Sequence, residues 1–64
     1  MKLLIENMTC GGCAKGVTAT IRDVDPDATV EIDLSSKIVT VESTESTDAI
    51  TSALAEDGFP AKVQ

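Results

Sequence analysis

Apolar and polar side chains alternate without interruption from Ala28 to Leu34, and this pattern limits the possible folds more than any other feature of the chain. Successive side chains of a β-strand point to opposite faces of the sheet, so the pattern predicts a strand with one buried face and one wet face. Residues 38–42 are expected to form the next strand, because Ser35-Ser36-Lys37 has the length of a hairpin turn. A sheet that is buried on one face needs a layer of helices over that face.

Two segments carry apolar residues at helical spacing. The first is residues 12–23, which end at a turn around Pro26. Its apolar stripe consists of Cys13, Val17 and Ile21. A second helix is expected to begin at an N-cap, Ser46 or Thr47, and to end before Gly58, which suits the left-handed residue after a helix. The apolar face of this helix consists of Ile50, Ala53 and Leu54.

Short apolar segments at both ends of the chain complete the pattern. Residues 2–6 predict a first strand, and the alternation of Phe59, Ala61 and Val63 predicts a short last strand. Pro60 places this last strand at an edge of the sheet or delays its start. The resulting order, βαββαβ, predicts an α+β, ferredoxin-like open-faced sandwich with a four-stranded antiparallel sheet and two helices on one face.

Length and charge exclude several classes of protein. A chain of 64 residues suggests one domain over residues 1–64, near the lower size limit for folding without a staple. It has no long apolar run and no signal-peptide pattern, so neither membrane insertion nor export is expected, and the expected location is the cytoplasm. The net charge of −6 argues against nucleic-acid binding. This acidity either keeps the domain soluble or complements a basic partner.

The only two cysteines, Cys10 and Cys13, lie three positions apart with two glycines between them. Such a pair in a reducing compartment is more often metal-binding or redox-active than structural. The chain has no His, Trp or Tyr, which excludes catalysis by imidazole and a mixed His/Cys zinc site. Cys13 is expected in the first turn of a helix, where the dipole lowers the pKa of its thiol. Gly11 and Gly12 are expected to allow a tight turn and the approach of a partner's ligand.

The donor set predicts the kind of metal. Thiolates are soft donors that select Cu(I) over Mg²⁺ or Ca²⁺, and a two-coordinate site also suits Ag(I) and Hg(II). Zn(II) and Cd(II) favour more ligands than two thiols provide. The thioether of Met8 could be a third ligand, but an anchor in the core is the favoured interpretation. A thiol–disulfide oxidoreductase is the less favoured alternative to a metal site.

The segment from Met8 to Cys13 follows a first strand and opens a helix, and Gly58-Phe59 precedes the last strand. Together these features resemble the heavy-metal-associated domain family, and within it the small bacterial copper chaperones. The resemblance covers nearly the whole chain. It implies that Cys10 and Cys13 bind the metal and that Met8 anchors the loop. Phe59 is expected either to be an ordinary core residue or to lie beside the site, where the family places an aromatic residue or a lysine, and to shield the thiols. Lys15 and Arg22 are expected to be solvated on the first helix; of the two, Lys15 is the better candidate for contact with a partner, because it lies one helical turn from the site.

The resemblance also implies a function. It predicts a non-enzymatic carrier that binds Cu(I) in the cytoplasm and passes it to the metal-binding domain of a P-type copper ATPase by exchange of thiolate ligands. Zinc-handling members tend to carry an acidic residue where this chain has Thr9. The apo protein is expected to be a monomer, and copper could bridge a dimer. The alternatives are a mercury-binding carrier and the N-terminal regulatory domain of a metal-transporting P-type ATPase; a first strand directly after Met1 favours the free carrier.

Overall fold

Six short elements build the fold, and the computed structural model describes all 64 residues. The strands are β1 (Lys2–Leu4), β2 (Thr29–Asp33), β3 (Ile38–Glu42) and β4 (Lys62–Val63), and the helices are α1 (Gly11–Val24) and α2 (Thr47–Glu56). The strands form one antiparallel sheet in the order β2-β3-β1-β4. This confirms the predicted ferredoxin-like sandwich. Neither helix is long and apolar enough to span a lipid bilayer.

One core fills the space between the sheet and the helices. Strand pairing sets Leu3 opposite Val39, so these two side chains share the face that the helices cover. Side chains of both helices and of the loop after β1 close the core from the other side. The fully buried residues are Leu3, Ile5, Met8, Val17, Ile21, Val39, Val41, Ile50 and Leu54.

The predicted alternation is confirmed in the middle of β2 and is wrong at its end. Val30 and Ile32 are half-buried and pack against the core, as predicted. Leu34 is 42% exposed, because it lies in the turn after the strand. The strand ends at Asp33, whose carboxylate accepts a hydrogen bond from the backbone N–H of Ser35 at 3.0 Å. Such a local side-chain contact competes with the strand ladder and starts the turn.

Both terminal strands are shorter than predicted. β1 ends at Leu4, although the buried Ile5 still donates a backbone hydrogen bond to Lys37 at 2.9 Å. β4 has two residues and begins after Pro60 at an edge of the sheet, as the proline predicted. Val63 is 60% exposed because this edge strand is only partly covered.

Helix α2 begins and ends where its sequence predicted. Ser46 is the N-cap, and its hydroxyl accepts a hydrogen bond from the backbone of the first turn at 3.1 Å. Gly58 has φ of +88°, in the left-handed region. Its N–H donates to Ala55 at 3.2 Å and the N–H of Phe59 donates to Leu54 at 2.8 Å, which is the Schellman arrangement. This arrangement fixes the position of Phe59 directly after the helix.

The antiparallel order gives the sandwich two different ends. The loops over residues 5–10, 34–37 and 57–61 meet at one end, which also holds both cysteines and is called the thiol end below. The turns over residues 25–28 and 43–46 meet at the opposite end. The predicted site residues therefore converge at one pole of the molecule, because the chain returns to it after every second element.

Candidate metal centre

Both thiols lie at the start of α1. Cys10 is the N-cap of the helix, with an extended backbone (φ −152°, ψ 171°), and its side chain is exposed. Cys13 is half-buried in the first turn of the helix. The two Sγ atoms are 3.4 Å apart, and both thiols are free. The pair is therefore accessible from solvent and close enough to share one ion.

The pKa of the Cys13 thiol is lowered. The largest cause is hydrogen bonding to the backbone of Thr9, followed by the contact with the Cys10 side chain, while partial burial acts in the opposite direction. The predicted direction is confirmed, and hydrogen bonds from the residues just before the helix contribute to it. A lower pKa raises the fraction of thiolate, which is the form that binds metal. Thr9 lowers the pKa of Cys13 through a hydrogen bond, and the only sign of this role in the sequence was its position next to Cys10.

Gly11 and Gly12 form the first turn of α1, and neither has a positive φ. The predicted tight turn is therefore wrong, because a regular helical turn accepts any side chain here. A Cβ atom at Gly11 would meet nothing within 4 Å, and one at Gly12 would lie 3.8 Å from the Sγ of Cys10. The structural effect of these glycines is an open surface around the sulfurs.

Met8 lies two residues before the first thiol, and its side chain is completely buried in the core. Its backbone N–H donates to Ile5 at 3.1 Å, which closes a turn between β1 and the thiols. Cys10, in contrast, lies on the exposed surface. The burial of Met8 therefore suits an anchor for the loop better than a ligand that shares the exposed site.

Phe59 reaches α1 from the turn after α2. Its ring is half-buried, and the Cε2 and Cζ atoms lie 3.4 Å from the position that a Cβ atom at Gly16 would take. Residues three apart on a helix are neighbours on one face, so the ring lies beside the turn that holds Cys13. Gly16 was not predicted, although a glycine inside a helical pattern often marks such a close approach. Lys15 is exposed on the same part of α1.

No further donor completes a closed metal site. The structure has no group of three or more His, Cys, Asp or Glu side chains that could hold an ion. The largest surface concavity lies elsewhere, on the open face of the sheet beside Lys2, Glu31 and Thr40. The arrangement can therefore hold a soft ion at low coordination number and leaves the ion open to an incoming ligand.

Comparison with known proteins connects this geometry to a family. The sequence profile of the heavy-metal-associated domain matches residues 2–59. A copper transport protein ATOX1 homolog from Dictyostelium discoideum is 46% identical over 37 residues, which are 58% of this chain and 55% of that protein. The match thus spans about half of the length of that relative.

Solved structures superpose on nearly the whole chain. The crystal structure of a gold-binding protein is 42% identical with a TM-score of 0.98 and covers 100% of this chain and 98% of that one. A trimeric form of the copper chaperone Atx1 from Synechocystis PCC6803 is 32% identical with a TM-score of 0.93 and covers 97% and 98% of the two chains. The likeness therefore extends over the sheet, both helices and the thiol end.

Proposed function

This chain belongs to the heavy-metal-associated domain family, and we propose that residues 1–64 form one such domain, which carries Cu(I) on the thiolates of Cys10 and Cys13. The observation that carries the proposal is a pair of sulfurs 3.4 Å apart, one exposed and one half-buried, that belongs to no cluster of three or more donor side chains. Relatives whose names refer to copper support the choice of metal. The role is that of a cytoplasmic carrier rather than an enzyme.

Binding of one ion requires the two sulfurs to move apart. With bonds of about 2.3 Å, the value for zinc, a linear sulfur–metal–sulfur unit holds its sulfurs roughly 4.6 Å apart. From the present 3.4 Å, the sulfurs would therefore separate by roughly 1.2 Å. The exposed side chain of Cys10 is free to make this movement, whereas Cys13 is half-buried in the helix.

The charge of the loaded site suits the start of a helix. Two thiolates and one univalent ion have a net charge of −1, and the unpaired N–H groups of the first turn stabilise negative charge. Helix α1 has no acidic residue in its first turn, so no carboxylate there competes with the thiolates. Binding Cu(I) removes one negative charge from the unloaded dithiolate and so relieves the repulsion between the two sulfurs.

We propose that the ion is delivered to the metal-binding domain of a P-type copper ATPase. A partner thiolate would add to the ion to give a three-coordinate intermediate, and one of the two original thiolates would then leave. A second exchange of the same kind, with a second partner thiolate, would release the ion from this chain. The exchange transfers Cu(I) without a change of oxidation state. The open surface that Gly11 and Gly12 leave around the sulfurs supports such an approach.

The acidic residues lie mostly away from the site. Six of the eleven flank the end opposite the thiols: Asp23, Asp25, Asp27, Glu42, Glu45 and Asp48. A strongly basic partner would attract that end rather than the thiols, so we propose that the net charge serves solubility. Recognition at the thiol end would then use short-range contacts, including one from the exposed Lys15.

A variant of Lys15 tests this part of the proposal. Lys15→Glu is expected to slow copper transfer to a partner domain, whereas Arg22→Glu, an exposed cation near the other end of the same helix, is expected to leave the rate unchanged. The interface should be small and transient. Equal effects of the two variants, or a transfer rate that falls steeply with salt, would instead point to recognition by overall charge.

The binding proposal is tested by anaerobic titration of the reduced protein with Cu(I) against a competing chelator. A tight 1:1 complex is expected, with Ag(I) and Hg(II) competing for the same thiols. Cys10→Ser and Cys13→Ser should each abolish tight binding while circular dichroism shows an intact fold. A single variant with wild-type affinity would contradict the two-thiolate site. Size-exclusion chromatography should show a monomer for the apo protein, and a copper-bridged dimer would elute earlier after Cu(I) is added.

A further inference from the structure

Thr20 is the only buried polar residue of the chain, with 6% of its surface exposed. Its hydroxyl lies 2.9 Å from the carbonyl oxygen of Gly16 in the preceding turn and 2.5 Å from Oδ2 of Asp57. The second contact joins α1 to the end of α2 across 37 residues of sequence. Hydrogen bonds from a hydroxyl to a carboxylate are among the stronger ones in proteins.

Asp57 needs a compensating contact where it stands. It is the C-cap of α2, at the negative end of the helix dipole, and the last turn of this helix contains no basic residue. A carboxylate at this end of a helix is unfavourable by itself. The hydrogen bond from Thr20 compensates for this unfavourable position of the carboxylate. A residue that is unfavourable for its local structure often marks a functional position.

The face of α1 that carries Thr20 also carries the thiol site. Cys13, Gly16 and Thr20 are three and four residues apart, so they lie one above the other on the helix. The ring of Phe59 contacts this face at Gly16, between the other two residues. A movement of the ring away from Gly16 would therefore uncover the turn that holds the half-buried thiol.

The turn that carries Phe59 has two tethers besides its own backbone. Asp57, two residues before the ring, is held by Thr20. Between them, the carbonyl oxygen of Gly58 accepts a hydrogen bond from the side-chain Nδ2 of Asn7 in the thiol loop, at 3.1 Å. The Asn7 contact is exposed to water, whereas the hydroxyl of Thr20 is buried, so the Thr20 contact is the stronger tether.

We propose that Thr20 and Asp57 form a clamp that holds the Phe59 ring beside Cys13 and thereby limits access to this half-buried thiol, while Cys10 stays exposed. They are positioning residues, because neither touches the sulfurs or the ion. A hydrogen bond to a charged group shifts an equilibrium by about tenfold or more. Loss of the clamp is therefore expected to raise the population of the open turn on the order of tenfold. The consequence for copper release rests on the proposed function, but the consequence for thiol access does not.

The matched set of variants uses neighbouring threonines of α1. Thr20→Val removes the hydroxyl and keeps the shape of the side chain, and Thr20→Ser keeps the hydroxyl. Thr18→Val is the control, because the hydroxyl of Thr18 donates to the carbonyl oxygen of Ala14 at 3.0 Å and makes no hydrogen bond to α2. Each reduced apo protein is alkylated with iodoacetamide under pseudo-first-order conditions, and tandem mass spectrometry separates the modification of Cys13 from that of the exposed Cys10. The ring-current shift of the Gly16 amide is followed by NMR.

In Thr20→Val, Cys13 is expected to be alkylated about tenfold faster than in wild type, because the open turn is about ten times more populated. The Gly16 amide shift is expected to move in the same direction as it would if the ring were absent, in proportion to the open population. Thr20→Ser and Thr18→Val are expected to match wild type in both measurements. A folded Thr20→Val protein with the wild-type alkylation rate and an unchanged Gly16 resonance would overturn the clamp. Equal acceleration in Thr18→Val would overturn it too, since a general loosening of α1 would then be the cause.

Asp57→Ala gives an independent test from the exposed side of the contact. It is expected to accelerate alkylation as much as Thr20→Val does, and the double variant is expected to be no faster than either single one, because both remove the same hydrogen bond. Additive effects would contradict a shared clamp. Thr20→Val should also release Cu(I) to a chelator faster. If neither the wild-type protein nor any variant binds Cu(I) but alkylation changes as described, the proposed function fails and the clamp stands. If Cu(I) binds tightly but all variants are alkylated at the wild-type rate, the clamp fails and the proposed function stands.

Discussion

Replacing Met8 with alanine is expected to destabilise the fold severely. The side chain is completely buried, and the substitution removes the thioether sulfur and the carbons on both sides of it. At about 0.8 kcal/mol for each buried methylene-sized group, the transfer term alone is roughly 2.4 kcal/mol. The cavity that remains raises the expected loss to about 2–5 kcal/mol. A domain of this size has a free energy of unfolding of only about 3–10 kcal/mol, so most of it could be lost.

Urea denaturation of the reduced apo protein, followed by circular dichroism, measures this loss. With a slope of about 1 kcal/mol per molar urea for so small a protein, the midpoint should fall by about 2 M or more. Met8→Leu is the matched control, because it conserves volume and should cost less than about 1.5 kcal/mol. Leucine has no sulfur, so this variant also separates packing from ligation.

Two results would refute the reasoning about Met8. If Met8→Ala leaves the urea midpoint unchanged, its side chain does not stabilise the core as its burial indicates. If Met8→Leu keeps the stability but loses Cu(I) affinity many-fold in a chelator competition, the thioether is a ligand. The expected outcome is the opposite pair: a large loss of stability in the alanine variant and wild-type affinity in the leucine variant.

Two further substitutions probe local structure. Gly58→Ala should lower the free energy of unfolding by about 1–2 kcal/mol in thermal or urea denaturation, because φ of +88° is strained for any residue with a Cβ atom. Gly11→Ala is the control: it lies in a regular helical turn with open space around it and should not destabilise the fold. Hydrogen bonds from the Ser43 hydroxyl and then from the Asp27 backbone hold the pKa of Asp25 below its ordinary value. Its contribution is therefore present above the unfolded-state pKa and is lost as pH falls through the folded-state pKa. Asp25→Asn should lower stability at neutral pH and weaken the dependence of urea midpoints on pH in the acid range; an unchanged acid dependence would exclude this carboxylate as a cause.

The ends of helices and strands were predictable where the signal is local. Ser46 and Gly58 mark the two ends of α2 by their own chemistry, through a hydroxyl that caps the first turn and a backbone that accepts a left-handed φ. The end of β2 was missed, because Leu34 continues the apolar alternation into the turn. That turn depends on hydrogen bonds to the Asp33 carboxylate, which the alternation of apolar residues does not reveal.

The metal-binding side chains of the candidate site could be predicted from the sequence, but the contacts around them could not. The two thiols stand out because the chain contains no other cysteine and no histidine. The contacts that organise their surroundings join residues far apart in sequence, such as Thr20 with Asp57 and Asn7 with Gly58, which are 37 and 51 residues apart. Such pairs depend on how α2 packs on α1, and packing of this kind leaves no periodic pattern in either segment.

The small size of the domain makes the two thiols unequal. Met8 belongs to the core and fixes the start of the loop, and Cys13 and Phe59 pack against the same core from α1 and from the turn after α2. Met8 and Cys13 therefore cannot move far without disturbing packing that so small a fold needs. Cys10 is the exception, since it is an exposed N-cap outside this cluster. The roughly 1.2 Å separation that linear coordination requires is thus expected to come from the Cys10 side chain, while Cys13 stays fixed to the core.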